Sequence, residues 1–108
     1  MTDMCMTAAE GYYACMKKKD IEGLGQYLHP DVQFIGPLAQ LTGKAPVIEG
    51  AGRLMQLFTD LTIRAKCAAA NQVMLAYDLH CHAPIGTLRV AALLTFTGTL
   101  ISCIEIFF

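Results

Sequence analysis

VMLAYDLH at positions 73–80 and TLRVAALLTFT at positions 87–97 decide the fold of this chain. In the first stretch the odd positions are oily (Val73, Leu75, Tyr77, Leu79), and in the second the even ones are (Leu88, Val90, Ala92, Leu94). Ile104, Ile106 and Phe108 in the closing ISCIEIFF supply a third row. Residues two apart on an extended strand share a face, so three neighbouring strands present one apolar face that carries no acid or base. Such a face is half of a hydrophobic core or the wall of an apolar pocket.

Outward from these strands, alternation extends over everything beyond Leu61. Strands are expected at 62–70, 73–82, 87–97 and 100–108, joined by turns at 71–72, 83–86 and around Gly98. Turns this short between long strands make antiparallel neighbours. Upstream the period is helical. From Asp3 to Lys19, apolar or small groups recur at Met4, Ala8, Tyr12, Cys15 and at Cys5, Ala9, Met16, which is an amphipathic helix. Asp20 caps a short second helix, Ile21 to Leu28, which His29-Pro30-Asp31 ends because a residue preceding proline is pushed out of the α region. A strand from Val32 to Ile35 stops at Gly36-Pro37, and a short extended piece follows at Leu41-Thr42. Gly43 opens a third helix that tolerates Pro46 only in its first turn, with an apolar face of Val47, Ala51, Leu54, Met55 and Phe58. Helices in front and a meander behind describe one α+β domain spanning 1–108, its helices covering one face of a curved, mostly antiparallel sheet.

Composition narrows the partners. The uncharged run from Val90 to Ile104 falls short of the roughly 20 apolar residues of a spanning helix and holds a turn in its middle, so no membrane association is expected. A hydrophobic share of 55% is high for a soluble domain and points to surface hidden in a second copy of the chain, through the convex sheet face where Ile63, Ala91 and Leu93 are expected. A net charge of -1 gives no basic field for nucleic acid, and Lys17, Lys18 and Lys19 complement a helix C-terminus. Five cysteines without a spaced framework, and no secretory pattern at the start, place reduced thiols in a cytoplasm.

Few motifs carry chemistry. Gly-rich phosphate loops, GxSxG and CxxC are lacking, and no cofactor is expected. Asp78, His80 and His82 share a strand face, but it is the convex one, and no third ligand of the usual kind lies near them in sequence. They read as a polar patch in which Asp78 pairs with Arg89 across the hairpin, and no metal is expected. Cys81 alternates onto the apolar face as a small hydrophobe, whereas Cys103 faces the convex side; neither has a cation or helix N-terminus beside it to make a thiolate.

Four strings carry a resemblance. YYACMKKKDIEG at 12–23, YLHPDVQFIGP at 27–37 and the GKAPV that opens the third helix, followed by the closing ISCIEIFF, resemble in order and spacing the nuclear transport factor 2-like superfamily, including SnoaL-like polyketide cyclases and ketosteroid isomerases. The resemblance implies a cone-shaped, cystatin-like α+β barrel, a pocket between helices and concave sheet, and dimerisation through the convex face. It also implies that Tyr12 matches the isomerases' oxyanion-hole tyrosine and Tyr27 a supporting one. Their general base falls on Gly36 and their second donor on Ala92, and glycine cannot abstract a proton. His29 and Asp31 are the remaining candidate acid-base groups, each with a local structural role as the alternative.

Two functions follow. One is a homodimeric module that binds a small hydrophobic ligand against Tyr12, Tyr27, Phe34, Met55, Phe58, Tyr77, Leu79, Ala92, Leu94, Ile104 and Phe108. The other is an isomerase, cyclase or dehydratase with a non-standard acid-base set. A lining without acids favours the first.

Overall fold

The computed structural model describes residues 2–108. Helices α1 (Thr2–Lys18) and α2 (Ile21–Gly25) precede strands β1 (Leu28–Ile35) and β2 (Gln40–Thr42). Helix α3 (Lys44–Met55) then leads into the meander β3 (Phe58–Ala69), β4 (Gln72–Cys81), β5 (Thr87–Thr97) and β6 (Leu100–Phe107). The six strands form one open mixed sheet in the order β2-β1-β6-β5-β4-β3, antiparallel except where β1 runs parallel to β6.

Helix α1 buries Cys5, Ala8, Ala9, Tyr12, Tyr13 and Met16, an apolar stripe at three- and four-residue spacing that lies over β3 and β4. Just past its end Lys19, with a φ of 62°, turns the chain so that the Asp20 amide donates back to the Cys15 carbonyl at 2.9 Å. Asp20 then caps α2, accepting from the Gly23 amide at 3.1 Å. The three lysines divide their roles: Lys17 meets Asp60 at 3.6 Å, Lys18 ends the helix, and Lys19 lies 5.2 Å from the centre of the Phe58 ring. Helix α3 covers β1 and β2, and α2 lies between the two longer helices. Beneath them Val73, Leu75, Tyr77 and Leu79 pair across the hairpin with Leu94, Ala92, Val90 and Leu88. All eight face the helices, and all but the half-buried Leu88 are buried. The expected α+β architecture and the inward apolar rows of β4 and β5 are therefore observed.

Several local expectations need correcting. The second helix stops at Gly25, and Leu28 already belongs to β1, with His29 and Pro30 inside the strand. Proline has no amide to give a ladder, and the β1–β6 register shifts between Leu28 and Gln33, the interval that contains it. Phe58 does not extend the face of α3. It opens β3, fully buried and opposite Cys81. Ile63 was expected on the convex side but pairs with Tyr77 on the concave one and packs against the core. The β3–β4 register shifts between Ile63 and Ala65, and such a bulge exchanges the faces of all residues beyond it. Lys66 consequently points to the helix side, where its ammonium meets Glu10 of α1. Asp78 lies opposite Arg89 in the ladder but bonds Arg64 instead, accepting from Nε at 2.9 Å, because the bulge brings that guanidinium alongside.

On the convex face two rows, small or apolar except for Glu105, cross the sheet. One is Ala65, Ala76, Ala91 and Phe107, and the other is Cys67, Met74, Leu93, Glu105 and Ile35. Met74 and Phe107 remain 44% and 51% exposed. Among the described residues no helix is long and apolar enough to cross a membrane.

Candidate ligand cavity

Between α1, α3 and the concave sheet lies a cavity with two lobes that share Tyr12, Met16, Phe34, Leu38, Ala39 and Leu54 as a common wall. The inner lobe, about 220 Å³, is closed by Tyr13, Tyr77, Leu79, Leu88, Val90, Ile104, Ile106 and Phe108 together with Pro37. The outer lobe, about 430 Å³, runs along α3 past Leu41, Val47, Gly50 and Ala51 to Arg53 and Leu57. The side chains here are small, at Ala39 in the 36–39 loop and at Gly50 and Ala51 on α3.

The lining is almost wholly hydrocarbon. Its polar side chains are the tyrosines of the inner lobe and Arg53 of the outer one; among the described residues no Asp, Glu, His, Cys or Lys lines either lobe. Tyr12 and Tyr13 meet edge to face with ring centres 5.0 Å apart, and the Tyr13 and Tyr77 rings are 4.9 Å apart. Burial holds all three phenols protonated. Tyr12 and Tyr13 are raised well above the ordinary phenol range by desolvation, and by the neighbouring Tyr77 should it ionise. Tyr77 is pushed up to about 12 by burial, in part offset by a hydrogen bond that Tyr13 donates. Tyr12 is 4% exposed, and its hydroxyl makes no hydrogen bond among the described residues. Since no fully sealed side-chain N or O atom among them is unpartnered, that hydroxyl keeps some accessible surface, and Tyr12 lines both lobes.

Of the residues expected to line a pocket, Tyr12, Phe34, Tyr77, Leu79, Ile104 and Phe108 surround the inner lobe. Met55, Phe58, Ala92 and Leu94 are buried core and line neither lobe. Tyr27 lies on the other side of α1, in an open cleft with Asp3, Thr7 and Gln26. Its ring packs so tightly against the helix that a Cβ added at Gly11 would sit 2.2 Å from the Tyr27 hydroxyl. His29 and Asp31 bond each other locally, with the Asp31 amide donating to His29 Nδ1 at 3.0 Å, and neither lines a lobe. Asp31 is exposed. At Gly36 an added Cβ would come within 2.9 Å of the Phe34 ring, so a carboxylate there requires the ring to move.

Away from the cavity, His80 bridges Thr62 and Thr87 through its two ring nitrogens at 3.1 and 3.4 Å, and His82 is exposed past the end of β4. Groups of three or more candidate metal ligands do not occur among the described residues. The Cys15 and Cys103 thiols are raised by burial, then by Asp20 and Glu105 respectively, with Lys18 partly opposing at Cys15, so both are thiols rather than thiolates at neutral pH. Sequence reasoning passed over Tyr13, Met16, Leu54, Leu38 and Arg53. Tyr13 and Met16 lie on the α1 stripe and were within reach of its periodicity. Leu38 and Arg53 become lining residues only through the placement of α3 and the 36–39 loop.

Comparison with known proteins agrees with this geometry. Three solved structures are similar in fold across nearly the whole chain. A candidate ketosteroid isomerase from Kribbella flavida has 18% identity over 98% of this chain and 78% of its own, with a TM-score of 0.88. A candidate polyketide cyclase from Sinorhizobium meliloti has 12% identity over 94% of each chain and a TM-score of 0.86. TerC, co-crystallised with polyporic acid, has 19% identity over 97% of this chain and 91% of its own, with a TM-score of 0.83. No curated protein matches. A family model described as the SnoaL-like domain matches residues 9–104, and the chain therefore belongs to the SnoaL-like domain family.

Proposed function

We propose that this SnoaL-like protein binds a small hydrophobic ligand in the two-lobed cavity and works as a homodimer. The observation that carries the reading is the lining: two joined lobes of hydrocarbon, with tyrosine hydroxyls able to donate and no group able to take a proton at neutral pH. A concave apolar site with few polar groups selects by shape and by one or two hydrogen bonds. Tyr12 orients the ligand through its free hydroxyl. The convex rows around Met74, Leu93 and Phe107 supply the surface for a second copy. Five free cysteines suit a reducing cytoplasm.

The test uses the neutral fluorophore N-phenyl-1-naphthylamine, whose emission rises on entering an apolar site. Saturable enhancement is expected with the wild type and its loss with Leu54→Trp, which fills the wall shared by both lobes, at an unchanged far-ultraviolet circular dichroism spectrum. Equal enhancement in the two proteins would place the probe elsewhere and overturn the cavity reading.

A second reading is favoured by the free Tyr12 hydroxyl, which is placed to polarise a ligand carbonyl in an isomerase, cyclase or dehydratase. It needs a base, which the lining lacks; His29 and Asp31, both within β1 and outside either lobe, are the groups to test. Exchange of the methyl protons of 2-acetonaphthalene in heavy water, faster than in buffer and lost in His29→Ala or Asp31→Asn, would support it. Exchange at the buffer rate leaves binding.

A further inference from the structure

The cavity's two ends differ. The inner lobe ends among Tyr13, Tyr77 and the exposed Phe108, whereas the outer lobe ends at Arg53, among the described residues the single charged one in either lining. Arg53 stands in the last turn of α3. Its Nη1 donates to Glu49 Oε1 at 2.7 Å, and among the described residues the guanidinium makes no other hydrogen bond. Both side chains of this pair are largely in solvent, so the pair itself holds little energy. Around the same mouth Leu38 and Leu57 are 87% and 48% exposed, an apolar collar with one cation set in it. From one end to the other the lining therefore runs from buried tyrosines through hydrocarbon to the exposed Arg53.

We infer that the ligand is an amphipathic monoanion, an apolar body ending in a carboxylate, and that Arg53 is the residue that selects it. Guanidinium matches carboxylate in a two-point geometry, and Arg53 has a second edge of donors left over after Glu49. One cation suits one negative charge. The hydrocarbon lobes accept the body, and the charged end stays at the mouth, where water still reaches it and the desolvation cost is small. Glu49 competes for the same fork and holds it in place when the site is empty. The inference rests on the cavity reading proposed above.

Decanoate and 1-decanol, which share a chain and differ in end group, separate the two. Each is titrated as a competitor of bound N-phenyl-1-naphthylamine against wild type, Arg53→Gln and Glu49→Gln. The ratio of decanoate to decanol affinity is expected to fall about fivefold in Arg53→Gln, the size of one charge-assisted contact at a wet site, with decanol affinity unchanged. In Glu49→Gln the ratio is expected to rise, because the competing carboxylate is gone. Both exchanges are at exposed positions, and matching melting temperatures check that folding is untouched. A ratio that is the same in all three proteins overturns the role of Arg53 and leaves the cavity reading standing. Failure of both competitors to displace the fluorophore overturns the apolar-chain ligand, and failure of the fluorophore itself to bind overturns the cavity reading with it.

Discussion

At the scale of single residues, one position shows opposed effects whose outcome can be stated. Gly11 lies inside α1, where alanine would favour the helix by about 1 kcal/mol. The Tyr27 ring occupies the space a Cβ needs, with contacts of 2.2 to 2.9 Å to three of its atoms. Overpacking of this kind costs about 1–3 kcal/mol, so Gly11→Ala is expected to lower stability in urea unfolding. In a Tyr27→Leu background the same exchange should be neutral or stabilising, a coupling that a double-mutant cycle reads directly. The buried phenols give a pH dependence. Tyr12, Tyr13 and Tyr77 are raised above the ordinary phenol value of 10.0, so above about pH 10 the unfolded chain loses protons that the folded one keeps. Their effect on stability is absent below pH 10 and grows unfavourable above it, at about 1.4 kcal/mol per tyrosine per pH unit until the folded values are reached. Phenolate absorbance for these three should therefore appear together with loss of circular dichroism. Phenolate formed by all four tyrosines in a chain still folded would contradict the burial described.

At the scale of elements, the sheet was legible where its period ran unbroken. Strands β4 and β5 alternate without interruption, and every inward residue expected from them points inward. Strand β3 was misread at Ile63 because TIRAK at 62–66 has no glycine or proline to mark its bulge. The end of α3 was misread for a related reason. Phe58 continues the 47, 51, 54, 55 spacing, and the helix stops at Met55 with no breaker in Gln56-Leu57. Proline 30 gave the reverse error, suggesting a break where a strand runs through an irregular register. The cavity was legible only in part. Its sheet wall follows from alternation and Tyr12 from the family resemblance, but its mouth is formed by a loop and a helix whose meeting no local pattern encodes. The convex rows belong to this scale as well. Met74→Glu together with Leu93→Glu places like charges on the proposed dimer face, and in light scattering at micromolar concentration the mass is expected to fall from two chains to one. A wild type that already has the mass of one chain would contradict the dimer.

At the scale of the whole molecule, the two faces of one sheet are given different tasks. The concave face is covered by helices and hollow near one end; the convex face is uncovered in a single chain and carries apolar groups such as Met74 and Phe107 beside the Arg64–Asp78 pair and Glu105. Binding and assembly are then separable, and the doubly charged variant should bind N-phenyl-1-naphthylamine with the wild-type affinity. Methionine reports on both faces at once. The chain has six methionines, of which Met16 is buried at the wall shared by the two lobes and Met74 is exposed on the convex face. The most direct measurement of the central claim is a titration of methyl-labelled methionine with N-phenyl-1-naphthylamine, followed by nuclear magnetic resonance. A saturable shift of the Met16 methyl with Met74 unmoved is the result expected of a ligand held beneath the helices. A shift confined to Met74, or none at Met16 at saturation, would contradict it.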